Sequence, residues 1–460
     1  MNRFLPGNAR FLFLNVGHFA DHLFMLIFAK AAFSAGLAFG LAKDGAYAEM
    51  IPYGVPSLIL FGACAPIAAH FADKWSRAGM IAVFFIGIGL SSIATGFAQS
   101  PFEIGLGLAA IGVFAAIYHP VGIAMVVEGG GNVGWRLGAN GVWGNMGVAA
   151  APLITGFILA DYDWRLAFIL PGAVAVLFGL GFVAYARTGG MRPPEACPRE
   201  KAMVGFTPGW KRALLSLAMV TAAGGFVFGA MTFVIPRMFE VSMPGVSVDV
   251  AATGALAALV YAVAAWAQLF VGRLIDRRPI KPVLLTIALG QPILIGLMAA
   301  QTDYALLVAS LLAMTFVFGQ IPITDAVLSR YVPNVWRAKV LSIKFMLNLV
   351  IGAMALMTAR AILAAGGGFE KVMTMLAAAA CLIVLAALLL PAREGALGQP
   401  QPASNLLSEI NSSLPQATQR YTPGVNTASY SPLNGRSVPF SRNTRYCSAL
   451  NSFFHSSSVF

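Results

Sequence analysis

The sequence predicts an all-α membrane protein of twelve transmembrane helices, arranged as two pseudo-symmetric six-helix bundles. The chain of 460 residues is 58% hydrophobic and only 10% charged, which is far from the composition of a soluble domain. Its apolar residues fall into segments of about 20, the length that a helix needs to cross a bilayer. Landmarks recur between the halves: Tyr118-His119-Pro120 is matched 202 residues later by Gln320-Ile321-Pro322. Such internal duplication in an apolar chain is typical of two related bundles.

Twelve apolar segments are predicted to span the membrane. Short polar stretches, many with glycine or proline, separate them. Their approximate ranges are 11–34, 46–70, 79–98, 102–127, 138–160, 165–186, 213–238, 250–271, 281–300, 303–329, 338–363 and 370–391.

The segments divide into an N-terminal bundle, residues 1–186, and a C-terminal bundle, residues 213–391. Residues 187–212 are rich in Pro, Gly and charge, so we predict a cytoplasmic linker there. After Pro391 the composition changes to Ser, Asn and Pro, and residues 392–460 are predicted to be a disordered tail. An out-of-frame extension would lack periodicity in the same way, so both interpretations stay open.

The distribution of basic residues predicts the orientation. A net charge of +12 would suggest a nucleic-acid partner in a soluble protein, but here the charge follows membrane topology and no such partner is expected. If the N-terminus is inside, most Lys and Arg residues fall in cytoplasmic segments, as the positive-inside rule requires. We therefore predict an inner-membrane protein with both termini in the cytoplasm. The predicted outer loops hold only Lys43, Arg165, Arg237 and Lys371. Lys30 and Arg360, near the outer ends of their helices, are predicted interfacial anchors.

Two charged loops occupy equivalent places, after the second and the eighth predicted helix. A carboxylate at a helix end can bind guanidinium groups or free backbone N–H groups, and such contacts can break when bundles move. We predict that these loops are cytoplasmic gates, although a solvated loop that only sets topology would look alike. Their candidate residues are Asp73, Lys74, Arg77, Gly272, Asp276, Arg277 and Arg278.

The fifth predicted helix carries Gly138, Gly147, Pro152 and Gly156. Small residues let helices approach closely, and proline permits a bend. The spacing therefore predicts close helix contacts, at a bundle interface or in ordinary membrane packing.

The first predicted helix contains an unusual polar cluster. His18, Asp21 and His22 share one face because they are three and four residues apart, and Asn15 lies one turn away. At about 1.5 Å per residue from Arg10, Asp21 lies about 16 Å deep, near the bilayer midplane. Ionisable groups there are costly and normally mark a substrate or proton pathway. Because histidine titrates near neutral pH, we predict reversible proton uptake; a polar patch that only ties helices together is the alternative.

His119 precedes Pro120 in the middle of the fourth predicted helix. Proline removes a backbone hydrogen bond and frees a carbonyl group, which then needs a polar partner or water. The step predicts a distorted helix at this point.

Polar residues of the second half form another candidate set. Gln320 and Asp325 lie beside Pro322 in the tenth predicted helix, and Lys344 and Asn348 lie one turn apart in the eleventh. Each is a candidate for the substrate path. Asp325 could instead be an inner-gate partner, and Lys344 could snorkel to the interface.

Over residues 1–391 the chain resembles a major facilitator superfamily transporter. The charged loops carry the family pattern, although Ala69 and Ser76 replace glycines in the first copy. The fifth helix is similar to the family's antiporter signature but departs from it at Ala151 and Thr155. The resemblance implies that the loop carboxylates stabilise the outward-facing arrangement, and it favours export.

A local similarity points to the fosmidomycin-resistance branch of that superfamily. It rests on Ile117-Tyr118-His119-Pro120 and on Trp135-Arg136 after a glycine-rich loop. The branch carries a His-Pro step at this place, and the family places it near the central cavity. The similarity thus implies that His119 lies near the first-helix cluster.

We therefore predict a monomeric, proton-coupled transporter that exports a small organic solute by alternating access, without a cofactor or a resident metal. Its partners would be the solute, protons and lipid. The alternatives are a transition-metal or organic-anion uptake transporter and a membrane sensor that kept the fold but lost transport. No His-Glu-x-x-His, Gly-x-Ser-x-Gly or P-loop motif occurs, so neither an enzyme nor a self-contained ATP-driven pump is predicted.

Overall fold

The computed structural model describes residues 6–128, 133–192, 205–246 and 249–392. Within these ranges all regular elements are helices, and twelve of them are long and apolar enough to cross a membrane. The predicted all-α fold class and number of spans are thereby confirmed. The spans are α1 (Pro6–Ala38), α2 (Ala46–Lys74), α3 (Arg77–Gly96), α4 (Pro101–Glu128), α5 (Val133–Asp161), α6 (Leu166–Arg187), α7 (Trp210–Ser242), α8 (Val250–Arg277), α9 (Ile280–Ala299), α10 (Asp303–Tyr331), α11 (Asn334–Ala364) and α12 (Gly368–Leu389).

Following the predicted division of the chain, helices α1–α6 are called the N-terminal bundle and α7–α12 the C-terminal bundle. The two ends of the molecule differ in charge. The basic face is the end where α2 meets α3 and α8 meets α9, with Lys74, Arg77, Arg277 and Arg278. The opposite face is where α1 meets α2 and α7 meets α8. The predicted tail from residue 393 onward and residues 193–204 of the predicted linker lie outside the described ranges.

Helices α4 and α10 are interrupted at equivalent places. In α4 the residues Tyr118–Gly122 form a π turn around Pro120, as the missing proline N–H predicts. In α10 the regular helix stops at Gly319 and resumes at Ile321. Both interruptions lie beyond the middle of their spans and carry a polar side chain, His119 in α4 and Gln320 in α10.

Helix α5 touches both bundles through its small residues. A Cβ atom on Gly147 would lie 2.2 Å from the backbone oxygen of Phe19 in α1, so only glycine fits there. A Cβ atom on Gly254 in α8 would lie 2.4 Å from the backbone oxygen of Pro152, and Gly156 packs against the same part of α8. Gly147 and Gly156 thus allow close helix contacts of α5, and near the opposite face the helix crosses between the bundles.

The same two helices are farther apart towards the basic face. A Cβ atom on Gly138 of α5 would be 3.9 Å from the nearest side chain, Leu269 of α8, and one on Gly272 would meet nothing within 4 Å. Helices α5 and α8 thus diverge from the opposite face to the basic face, so the bundles lean together at one end only.

Candidate functional site

A cavity of about 370 Å³ lies between the two bundles. Near the basic face its lining includes Pro66 and Leu341, both exposed. At the opposite face the Tyr47 hydroxyl donates to the backbone oxygen of Phe233, 3.0 Å across the bundle interface. The cavity is therefore open towards the basic face and closed at the other end. Its polar lining comprises His22, Ser57, His119, Asn145, Thr221, Thr232, Gln320, Thr324, Asp325, Ser342, Lys344 and Asn348.

The predicted cluster of α1 lies directly behind this lining. His18 and Asp21 are fully buried, and Asn15 is 5% exposed; only His22 of this helix cluster reaches the cavity. The ring centroids of His18 and His22 are 5.0 Å apart, and His119 from α4 approaches them at 5.3 and 5.5 Å. The structure thus brings all three histidines together, as the local similarity implied.

The hydrogen bonds of His18 fix its tautomer. Its Nδ1 lies 2.9 Å from the backbone oxygen of Asn140, which can only accept, so this nitrogen carries the proton. The Nε2 atom of His18 is then the acceptor for Nε2 of His22 at 3.2 Å. A Cβ atom on Gly144 would lie 2.6 Å from the His18 ring, so glycine makes room for it. Asn15 completes the network by accepting from Asn140 Nδ2 at 3.0 Å.

Asp21 faces His119. Its Oδ2 lies 3.2 Å from Nδ1 of that ring, but the pair lacks hydrogen-bond geometry, and neither oxygen of Asp21 accepts a hydrogen bond from the described residues. A fully buried carboxylate is costly unless a proton or a cation neutralises it. The Asp21–His119 pair is therefore where a proton would change the energy of the site most.

The three histidines could also hold a transition-metal ion. One nitrogen from each of His18, His22 and His119 lies within 4.8 Å of the others, and three imidazoles form a common metal-binding set. The same convergence serves proton exchange, since neutral rings in contact can pass a proton between donor and acceptor nitrogens. The two chemistries need separate tests.

The predicted residues of the second half also reach the cavity. Gln320 accepts from Gln291 Nε2 at 2.7 Å, and its own amide lies 3.3 Å from the backbone oxygen of Val220. Lys344 forms an ion pair with Asp325. Lys344 therefore does not snorkel to the interface, and both partners lie in the wall of the cavity.

The charged loops make no contact between bundles within the described parts of the chain. Asp73 is exposed and lies 3.4 Å from Arg77 of its own bundle, while Arg77 also pairs with Glu128. Asp276 lies beside Arg277 and Arg330, likewise of its own bundle. Because the basic face is open, the gating role of these residues stays a prediction.

Lys30 is not the interfacial anchor that its position suggested. It is 2% exposed, pairs with Glu240 of α7 and donates to Thr253 of α8 at 3.0 Å. Arg237 lies 2.5 Å from the other oxygen of Glu240 and covers the ring of Phe33. Lys30, Arg237, Glu240 and Thr253, the Lys30 cluster, join the bundles at the opposite face. The sequence could not reveal this, because Lys30 and Glu240 are 210 residues apart.

Several residues of the site were missed at the level of sequence. Asn140 and Asn145 of α5 are buried polar residues in an apolar helix, a signal that would have drawn attention to both. Phe61 and Phe345, which contact His119, gave no signal, since phenylalanine is common in every span.

Comparisons with known proteins agree with the fold. The family model described as Major Facilitator Superfamily matches residues 22–251. The chain is 35% identical over 126 residues to the puromycin resistance protein pur8 of Streptomyces alboniger, a match that covers 27% of this chain and 25% of that protein.

Solved structures extend the similarity to both bundles. A bacterial homolog of the human lysosomal transporter Spinster, inward-facing and unoccupied, superposes with a TM-score of 0.65 at 17% identity, covering 84% of this chain and 98% of that one. The inward-open xylose transporter XylE of E. coli gives 0.64 at 13% identity, covering 84% and 97%. At these identities the likeness concerns the fold alone.

Proposed function

Because the chain belongs to the major facilitator superfamily, we propose that it is a proton-coupled secondary transporter that exports a small organic solute by alternating access. The single observation that carries the proposal is the buried Asp21, 3.2 Å from a histidine that lines the cavity. A carboxylate with no hydrogen bond and no solvent contact is stable only with a proton or a cation beside it. Because His119 lines the cavity, a solute bound there would change the surroundings of the Asp21–His119 pair and therefore the protonation of Asp21.

Protons would reach Asp21 through His119 and His22. These two rings line the cavity, whereas Asp21 and His18 lie behind them. When the cavity faces the outside, a proton passing to the Asp21–His119 pair would remove the cost of the buried charge. A proton shifts the conformational equilibrium only if it binds the two arrangements with different affinity. His119 contacts Phe345 of the other bundle. Movement of the bundles would therefore change the surroundings of His119, and with them the affinity of the site for a proton.

One feature supports the orientation of the protein in the inner membrane, and two others support export. The basic face would lie in the cytoplasm by the positive-inside rule, so the cavity would be open to the cytoplasm here. The partial likeness to a protein named for puromycin resistance fits efflux. The small residues of α5 that resemble the antiporter signature include Pro152 and Gly156, which pack against α8. Placement in the fosmidomycin-resistance branch rests on His119-Pro120 and stays a prediction.

Asp21→Asn tests the coupling. The variant keeps the size of the side chain but is permanently neutral, like a protonated carboxylate. Uphill transport driven by a proton gradient should fail, whereas counterflow exchange of the solute should persist, because exchange needs conformational change but no net proton release. Both activities are measured on the same reconstituted vesicles across about pH 5.5–8.5, where histidine titrates.

Asp325→Asn is the matched control. It removes a carboxylate in the wall of the cavity, and this carboxylate is already paired with Lys344. In this control, counterflow exchange and uphill transport should change together, whereas Asp21→Asn should lose only uphill transport. Normal uphill transport by Asp21→Asn would exclude this carboxylate from coupling. Loss of both activities in a poorly folded protein would assign the cluster a structural role.

A transition-metal cargo is the second candidate, favoured by the convergence of three histidines. Zn²⁺ uptake or release by the vesicles, lost in His119→Gln and unaffected by organic solutes, would support it. Proton-driven solute transport that is unchanged by a metal chelator would exclude it.

A further inference from the structure

An aromatic platform crosses the cavity between the bundles. The ring of Phe345 in α11 lies 4.9 Å from His119, centroid to centroid and tilted by 31°, and 5.2 Å from Phe61 in an edge-to-face arrangement. Phe61 also meets His119 edge-on at 5.4 Å. All three rings line the cavity. Aromatic faces of this kind attract other planar rings, which gain from stacking beyond the area they bury.

Two unsatisfied polar groups lie buried in the wall of the same cavity. Asn145 of α5 is 5% exposed and Thr221 of α7 is 4% exposed, and both line the cavity. The Nδ2 atom of Asn145 and the Oγ1 atom of Thr221 have no hydrogen-bond partner among the described residues. A buried donor without a partner is costly, so a ligand that accepts from Asn145 would relieve that cost. The two groups belong to different bundles, and a solute that reaches both would bridge them.

The charge of the lining favours a neutral solute. Asp325 and Lys344 are its formally charged residues among those described, and they pair with each other. A solute with a net charge finds no unpaired charge in the lining itself, because Asp21 lies behind His119. It would have to break this pair or enter without a partner in the lining, and either step carries a large desolvation cost. A neutral solute leaves the pair intact.

We propose that the cavity selects uncharged planar aromatic or heteroaromatic solutes with a hydrogen-bond acceptor, stacked on Phe345 and Phe61 and held by Asn145. The assignment rests on the proposed function in one respect, that this cavity is the transport site. It adds the chemical class of the solute. Because Phe345 also packs on His119, a solute that displaces this ring alters the surroundings of the Asp21–His119 pair from the other bundle.

Equilibrium dialysis of the purified full-length protein in detergent tests the proposal without any gradient. The probes are acridone, a neutral planar ring system with a carbonyl acceptor; ethidium, a planar cation; and 2-decalone, a saturated ketone. The wild-type protein should bind acridone more tightly than the other two after correction for partitioning into detergent. Phe345→Leu removes the ring but keeps an apolar side chain and should weaken acridone binding about ten-fold. Phe345→Tyr keeps the ring and should restore most of the affinity.

The ring and hydrogen-bond contributions are separated by a second pair of measurements. Asn145→Leu should weaken acridone binding but not that of anthracene, which has no acceptor. 2-Decalone binding should be unchanged by Phe345→Leu, and thermal unfolding of each variant reports folding. Equal losses for acridone and 2-decalone in a folded Phe345→Leu protein, or a wild-type preference for ethidium, would overturn the proposal. Ring-dependent acridone binding without proton-driven flux would instead contradict only the proposed function.

Discussion

Replacing Glu240 by Gln is expected to open the closed face of the transporter. In the wild type this carboxylate forms ion pairs with Lys30 of the N-terminal bundle and with Arg237 of its own helix. The variant leaves Lys30 and Arg237 close together without the carboxylate that they share, and Lys30 is 2% exposed. Opening the face would hydrate both cations, so the open arrangement should gain population.

The structure sets the size of the effect. Removing one partner of a buried ion pair costs about 3–5 kcal/mol. The lower end applies here, because Thr253 still accepts from Lys30 and the side chain of Glu240 is 12% exposed. About 3 kcal/mol corresponds to a roughly 100-fold shift in the ratio of closed to open molecules.

Lys30→Met should act more weakly, because Glu240 keeps Arg237 as its partner. Lys30→Met removes the hydrogen bonds that Lys30 donates to Glu240 and Thr253. The bond to the charged partner sets the scale, about 1.5 kcal/mol, and predicts a shift of at least roughly ten-fold. The double variant Lys30→Met with Glu240→Gln should be milder than Glu240→Gln alone, since no buried Lys30 charge remains. This order of effects distinguishes a cross-bundle ion pair from general loss of stability.

Pulsed electron paramagnetic resonance measures the shift directly. Spin labels at Lys43 and Lys371, both exposed on the opposite face, report the separation of the bundles in a background free of native cysteines. The Glu240→Gln protein should show a longer distance population that is minor in the wild type. An unchanged distance distribution, or a double variant as perturbed as Glu240→Gln, would refute the reasoning.

Three further predictions follow. Gly254→Leu should block transport while leaving the fold of each bundle intact, because a Cβ atom there would already lie 2.4 Å from the Pro152 oxygen; flux and thermal unfolding measured together check this, with Gly181→Leu of α6 as the control, since a Cβ atom there would meet nothing within 4 Å. Asp73→Asn and Asp276→Asn should slow transport without abolishing solute binding if these carboxylates close the basic face, and unchanged flux in the double variant would leave them a topological role only. Deletion of residues 400–460 should preserve flux and insertion, since they lack apolar periodicity, and loss of activity in a well-expressed truncation would contradict it.

The sequence was sufficient for the fold because membrane spans are read from local composition. Length and hydropathy decide each of the twelve helices one at a time, and a duplicated landmark pairs the halves. The same local information predicted a distortion at Pro120, which the structure shows to be a π turn, since a proline in a helix must interrupt a hydrogen bond wherever it packs.

Contacts between distant helices could not be predicted in this way. The pairing of His119 with Asp21 joins α4 to α1, and the resemblance to a family, rather than periodicity, suggested it. Lys30 looked like an anchor because a lone Lys near a helix end usually snorkels, and only its burial against Glu240 corrects that interpretation. The unsatisfied Asn145 and Thr221 become visible only when their partners can be counted in three dimensions.

Helix α5 connects the proposed proton site to the movement of the bundles. Near its middle, Asn140 accepts from His18 and Gly144 leaves space for that ring. About three turns later, its Pro152 and Gly156 pack directly on α8 of the other bundle. The contact at Gly254 has no side chain that could yield, so a tilt of α5 must be passed to α8 rather than absorbed. A change of charge beside His18 therefore has a continuous path to the bundle interface along one helix, which is what coupling a proton to alternating access would require.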